Sequence, residues 1–224
     1  MQTRDYRSII EDIESRIGSA RLMAVSKTRS IEEIMDVYDA GCRLFGENHV
    51  QEIVAKFRTK PADLELHMIG HLQSNKVGKV VPLVDMIESV DSMGLLKKID
   101  AAAQRAGKVI DVLLEVNTSK EEAKSGFQST EELFECLGES ALMKNVRVRG
   151  LMTVAPYTDD AETNRPYFRT MHDLMVDINQ KNIDNISVDV LSMGMSGDYG
   201  VAVEEGATHI RVGTYLFGER DYSK

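Results

Sequence analysis

The feature that most constrains this chain is an alternation. Short β-rich apolar runs recur along its 224 residues, and each is followed by a stretch with apolar residues at helical spacing. That alternation is the pattern of βαβ units. The runs fall at residues 21–26, 43–46, 64–69, 86–90, 109–116, 146–152, 186–191 and 208–212, which predicts eight strands. Ile9, Ile10, Ile13 and Ile17 predict a helix before the first of them, and IEEIMDVYDAG from Ile31 or TEELFECLGES from Thr130 are typical of the stretches that follow. The runs are continuously apolar, as parallel strands covered on both faces should be. No Pro- or Ser-rich linker divides the chain, so one domain over residues 1–224 is predicted. The economical fold is an α/β (β/α)8 TIM barrel with an extra N-terminal helix, and its usual size of roughly 250 residues agrees. A doubly wound open sheet would show the same alternation and stays the competing fold.

Composition removes several functions. Thirty-six acidic residues against 27 Lys and Arg leave a formal charge of −9, which repels phosphate backbones and anionic lipid, so neither nucleic acid nor membrane is an expected partner. No run approaches the roughly 18 apolar residues of a membrane span, and the charged opening MQTRDYRSIIEDIESRIG is unlike a signal peptide. Cys42 and Cys136 stand far apart with no CxxC spacing, which suggests neither a disulfide framework nor structural zinc. A reducing cytoplasm is the expected compartment.

In a barrel of this kind the chemistry sits where the strands end. There the sequence places Lys27, Asn48, His71, Asn117, Thr153 and Ser192, with Arg211, Gly213 and Thr214 on and after the last strand. A lysine directly after a buried strand loses hydration, which favours the neutral amine that a Schiff base needs. By position alone Lys27 could equally be an ordinary loop lysine. The block LSMGMSGD, residues 191–198, places Gly194, Ser196 and Gly197 before one helix, and Gly213 with Thr214 opens another. Loops after strands seven and eight often hold phosphate in such barrels, although the same residues make routine helix caps. The block is not the GxGxxG of a dinucleotide fold, and no GxxxxGK precedes a helix.

His67 and His71 stand four apart, but HMIGH lacks the Glu of HExxH and lies on a strand, which argues against a metal. His71, at a strand end, is a candidate ligand contact, whereas His172 and His209 read as structural. Met152, Met193 and Met195 could pack on a flat ring or simply fill the core.

Seven blocks carry a resemblance that composition does not: AVSKT (24–28), FGENHVQE (45–52), HMIGHLQSNK (67–76), LEVNTSKEEAKSGF (114–127), GLMTVAP (150–156), LSMGMSGD (191–198) and IRVGTYLFGER (210–220). In this order they resemble the pyridoxal 5′-phosphate homeostasis proteins, also called the YggS or proline synthetase co-transcribed family. The resemblance implies a barrel like the N-terminal domain of alanine racemase, with pyridoxal phosphate held as an internal aldimine on Lys27. It implies that Ser196 and the amides of Gly213 and Thr214 hold the phosphate and that Arg211 faces the pyridine nitrogen. Asn48, His71, Met152, Ser192 and Met193 would line the ring and its substituents. Ser30, Leu66 and His49 depart from the usual pattern, and none lies in the lysine or phosphate blocks.

Three functions then compete. The first is a non-catalytic protein that buffers pyridoxal phosphate or delivers it to apo-enzymes. The second is an amino-acid racemase or related enzyme using the same cofactor, and the third a Schiff-base aldolase with no bound cofactor. The first is the expectation. Racemases of the resembling kind append a β-domain and pair as dimers, and the 11 residues after Gly213 leave no room for one, so a monomer without appreciable turnover is expected. Lys124, in AKSGF, is expected either to offer a second, transient amine to the cofactor or to be a solvated loop lysine.

Overall fold

The computed structural model describes residues 4–121, 124–184 and 186–219. The chain opens with α1 (Tyr6–Ile17), then runs β1 (Arg21–Val25), α2 (Ile31–Asp39), β2 (Leu44–Glu47), α3 (Val50–Lys56), β3 (Glu65–Met68), α4 (Val77–Val80), β4 (Met86–Val90) and α5 (Met93–Ala106). It continues through β5 (Ile110–Glu115), α6 (Thr130–Ser140), β6 (Val146–Met152), α7 (Arg165–Gln180), β7 (Val190–Met195), α8 (Tyr199–Glu204), β8 (His209–Val212) and α9 (Thr214–Phe217). The strands pair in parallel in sequence order. β1 also pairs with β8, Met23 lying opposite Arg211, which closes the barrel and excludes the open sheet.

Local chemistry sets the helix ends. Ser30 accepts the Glu33 amide while the Glu33 carboxylate accepts the Ser30 amide, a reciprocal cap that starts α2 immediately after the Lys27 loop. Ser92 and Ser129 cap α5 and α6 in the simpler way. Ile10, Ile13 and Ile17 bury the inner face of α1. Most of the apolar core lies between the sheet and the helices, where it continues through Phe45, Leu66, Ile87, Leu114 and Leu191. Inside the barrel two smaller clusters form, Met23 with Val25, Leu44 and Ile69, and Met86 with Leu113, Met152 and Val190.

The seventh strand differs from its expected span. Residues 186–189 are β-rich in composition but lie outside the strand, because the Asn179 side chain takes both backbone groups of Val188 (2.8 and 3.1 Å). The strand begins at Val190 and continues through LSMGM to Met195. Ser192 therefore lies within β7 rather than at its end. Strand alternation then points Ser192 to the barrel axis and Met193 to the helices.

Candidate functional site

At the carboxyl ends of the strands a cavity of about 340 Å³ is lined by Lys27, Asn48, Ser196, Gly197, Asp198, Arg211, Gly213 and Thr214. Val25, Ile69, Val154, Pro156 and Tyr157 form its apolar wall and rim. A slightly larger cavity, about 380 Å³, lies at the opposite end between α1, β1 and β2. That second space is lined by Gly18 and Gly41 but by no lysine amine and no side-chain hydroxyl among the described residues.

Lys27 follows β1 by two residues, and alternation from Met23 and Val25 puts it on the inward face. It is half-buried. Ser26 points the other way and is fully buried, its hydroxyl donating to Glu47 Oε1 at 2.9 Å. Asn48 follows β2, and its loop passes against Gly70. A Cβ at Gly70 would stand 2.3 Å from the Asn48 carbonyl oxygen, so only glycine lets the two backbones approach.

Ser196 and Gly197 occupy the turn after β7. Asp198 fixes that turn, accepting the Met195 amide at 2.6 Å on one oxygen and the Asn164 side-chain amide at 2.8 Å on the other. Gly194 enters it with φ +87° and with Ala202 Cβ 2.6 Å from where a Cβ would stand, so no larger residue fits. From the other side comes α9, whose Tyr215 amide reaches Ser196 Oγ at 3.4 Å. The carbonyls of Gly213 and Thr214 are taken by Phe217 and Gly218, both at 2.8 Å, and the leading amides of such a turn have no intrahelical acceptor. A hydroxyl, glycines and leading amides brought to one corner are groups able to receive an anion.

Arg211 is buried on β8. Its guanidinium donates to Ser192 Oγ (2.7 Å) and to the Thr153 carbonyl (2.7 Å). Burial pushes it below its ordinary value, against the pull of Glu88, Asp198 and Glu115. Ser192 Oγ in turn donates a hydrogen bond to Glu88 Oε2 at 2.6 Å, and Glu88 Oε1 meets His67 Nδ1 at 2.7 Å. Burial opposes a charged His67 ring, but the hydrogen bonds to Glu65 and Glu88 outweigh it and hold it up to about 9.

Of the ten residues that the family resemblance assigns to the cofactor, the cavity brings together Lys27, Asn48, Ser196, Arg211, Gly213 and Thr214. Four lie elsewhere. His71 is largely exposed beside Asp91 (3.3 Å) and Ser125 (3.4 Å). Met152 packs in the inner barrel cluster and Met193 in the outer core, both as strand residues whose face is set by alternation. Ser192 reaches the cavity through Arg211. Lys124 pairs with Glu121 at 2.8 Å and lines a neighbouring recess of about 200 Å³ with Glu115 and Asn117.

The sequence reading did not assign Asp198 or Glu88. Glu88 was findable as the one charge in the apolar run MIESV. The cluster of Glu47, Glu52 and Lys56 beneath the Lys27 loop was also missed. Lys56 Nζ donates to Glu47 at 2.9 Å, to Glu52 at 2.5 Å and to the Ser26 carbonyl at 3.1 Å. No group of His, Cys, Asp and Glu among the described residues could hold a metal.

The donor set can be tested against one cofactor. A flat ring bearing an aldehyde, a phosphate and a ring nitrogen needs an amine, an anion cradle and a polar group at the ring. Lys27, the Ser196–Gly213–Thr214 corner and Arg211 supply these on one cavity. Asn48 lines the same cavity, and its side-chain oxygen is buried with no hydrogen-bond partner.

The chain matches the family model of the alanine racemase N-terminal domain over residues 4–221. It is 44% identical over 206 residues to the pyridoxal phosphate homeostasis protein of Aquifex aeolicus, covering 91% of this chain and 88% of that one. To the human pyridoxal phosphate homeostasis protein it is 40% identical over 216 residues, 91% and 78% of the two chains. PipY of Synechococcus elongatus, solved with pyridoxal phosphate bound, superposes with a TM-score of 0.87 at 36% identity, covering 95% of this chain and all of that one. Alanine racemase from Streptomyces coelicolor shares the fold, with a TM-score of 0.75 at 19% identity over 96% of this chain and 58% of that one. A family match over nearly the whole barrel and this level of identity across it lead to one conclusion: the chain belongs to the pyridoxal phosphate homeostasis protein family.

Proposed function

We propose that this protein binds pyridoxal 5′-phosphate covalently through Lys27 and serves cofactor homeostasis, buffering the cofactor or delivering it to apo-enzymes, without turning over amino acids. The observation that carries the reading is a single cavity with Lys27 on one wall and the Ser196–Gly213–Thr214 corner on another. When bound, the cofactor supplies an aldehyde whose carbon forms a C=N bond with a primary amine as its oxygen leaves as water.

The protein's own groups do the rest. Ser196 and the leading amides of α9 would hold the phosphate, and Arg211, braced by Ser192 and Thr153, would stand at the ring nitrogen. A permanent positive charge there disfavours a proton on the ring. Asp198 is the one carboxylate among the described lining residues, and both its oxygens are committed, to the Met195 amide and to Asn164. That leaves it poorly placed as a second acid opposite Lys27, which racemisation requires. Tyr157, at the rim, is 93% exposed, which suits a site open to exchange. The reading places the protein in the cytoplasm as a monomer. Cys42 and Cys136 are free and buried, and burial pushes them up to about 11 and about 12, as suits thiols kept out of redox chemistry.

The test is borohydride reduction of the loaded protein followed by intact mass and peptide mapping. One pyridoxyl phosphate on Lys27, lost in Lys27→Ala, is expected. An adduct confined to other lysines overturns the reading. Incubation with L- and D-amino acids, followed by chiral chromatography, should show no turnover above that of free cofactor.

A further inference from the structure

Lys27 occupies the second position of a four-residue turn, closed where the Arg29 amide donates to the Ser26 carbonyl at 3.1 Å. The third position, Thr28, has φ 64°. Glycine adopts that left-handed conformation freely, whereas a β-branched residue resists it. The local sequence SKTR therefore does not favour the turn it makes, and the constraint comes from outside it, from α3.

Two side chains one helical turn apart on α3 hold the backbone on either side of Lys27. Glu52 Oε2 accepts the Thr28 amide at 2.7 Å. Lys56 Nζ donates to the same Glu52 oxygen and to the carbonyl of Ser26. Its remaining contact is Glu47 Oε1, which also takes the Ser26 hydroxyl. Glu47 is fully buried and the Lys56 side chain only 14% exposed, so these charges act at reduced dielectric. Three charges in such a place are a poor route to stability, because well-packed apolar residues would do as well. What the cluster can do, and apolar packing cannot, is fix two peptide groups in place. Since Ser26 and Lys27 face opposite ways, gripping the outer side of the turn aims the Lys27 side chain inward.

We propose that Glu52 and Lys56 are positioning residues for Lys27, holding its turn in the left-handed form so that the amine is presented to an aldehyde in the cavity. The proposal rests on Lys27 being the residue that captures the cofactor.

Two ligands separate capture from binding: pyridoxal 5′-phosphate, and 4′-deoxypyridoxine 5′-phosphate, which has the ring and phosphate but no aldehyde. Capture is read as the rate at which a borohydride-trapped adduct appears on Lys27 by quenched-flow mass spectrometry, and binding as the affinity for the deoxy compound by calorimetry. Glu52→Ala should slow capture roughly ten- to a hundredfold, the scale of a small misplacement of a reacting group, with affinity for the deoxy compound unchanged. Adding Thr28→Gly to Glu52→Ala should recover much of the rate, because glycine takes the turn without help. Glu52→Gln keeps an acceptor for the Thr28 amide and should fall between, and it carries the same comparison should Glu52→Ala fold poorly. Native-rate capture in Glu52→Ala, a parallel loss of deoxy affinity, or no recovery with Thr28→Gly overturns the proposal alone. Absence of any Lys27 adduct in the unaltered protein overturns the Lys27 reading and the proposal with it.

Discussion

The proposed phosphate site rests on a single hydroxyl, that of Ser196. Its oxygen accepts the Tyr215 amide at 3.4 Å, a role that does not use the hydroxyl proton. Ser196→Ala removes one hydrogen bond to a charged group, worth about 1.5–3 kcal/mol, so affinity for pyridoxal phosphate should fall roughly ten- to a hundredfold. Pyridoxal without its phosphate should bind weakly and equally to both proteins in a fluorescence titration. An equal loss for the two ligands would mean that Ser196 serves the fold of its turn and not the phosphate. This residue and Lys27 were legible as cavity-lining residues because each lies in a loop after a strand, which fixes the side of the barrel, although position left the role of Lys27 open and His71, in the same kind of loop, lies outside the cavity. Asn48, Gly213 and Thr214 were legible for the same reason. Met152 and Met193 were not, because a methionine near a strand end is placed by one step of alternation, and that step depends on where the strand stops.

At the scale of elements, the barrel axis carries a polar line through five strands. Arg211 on β8, Ser192 on β7, Glu88 on β4, His67 and Glu65 on β3 and Arg21 on β1 are joined by successive contacts of 2.7, 2.6, 2.7, 2.9 and 2.5 Å. It begins beside the cavity and ends at the half-exposed Arg21–Glu65 pair. Glu88→Gln removes the carboxylate that neutralises both Arg211 and His67. Breaking a buried pair of this kind should cost about 3–5 kcal/mol in urea unfolding. Ser192→Ala strands one Arg211 donor and should cost less, about 1–3 kcal/mol. Comparable small losses in both variants would show that water replaces the line easily. The sequence predicted each strand that carries this line but not the line itself. Ser192 and Glu88 are 104 residues apart, and only barrel closure brings their strands to a common axis. The β7 boundary was misread for a related reason: ISVD, residues 186–189, is strand-like in composition, and it is held out of the strand by one side chain, Asn179, on the preceding helix.

For the molecule as a whole, the same axis sets how stability depends on pH. His67 is held up to about 9 against an ordinary 6.5, so the folded state keeps a proton that the unfolded chain gives up sooner. Its contribution is fully present below about pH 6.5 and is lost as pH rises through about 9, at most about 3 kcal/mol for a shift of this size. His209, 6.0 Å from His67 ring to ring, behaves oppositely. Burial, with His67 and Arg21 adding to it, holds it down to about 4, so its contribution is present above pH 6.5 and is lost on acidification. Glu115 complicates the middle of the range: burial and Asp91 raise it to about 7, and its contribution fades between about pH 4.5 and pH 7 as the pH rises. The slope between about pH 7.5 and 8.5 is therefore the clearest signature of His67, since the raised Cys42 and Cys136 thiols add a fall of their own only at higher pH. Urea unfolding of the unaltered protein should show stability falling across that interval, and in His67→Gln most of that fall should be gone. A slope of native size in His67→Gln would place the titrating group elsewhere and leave the ring neutral. The counter-charge that Glu88 offers across Ser192 would then act on Arg211 without competition from His67.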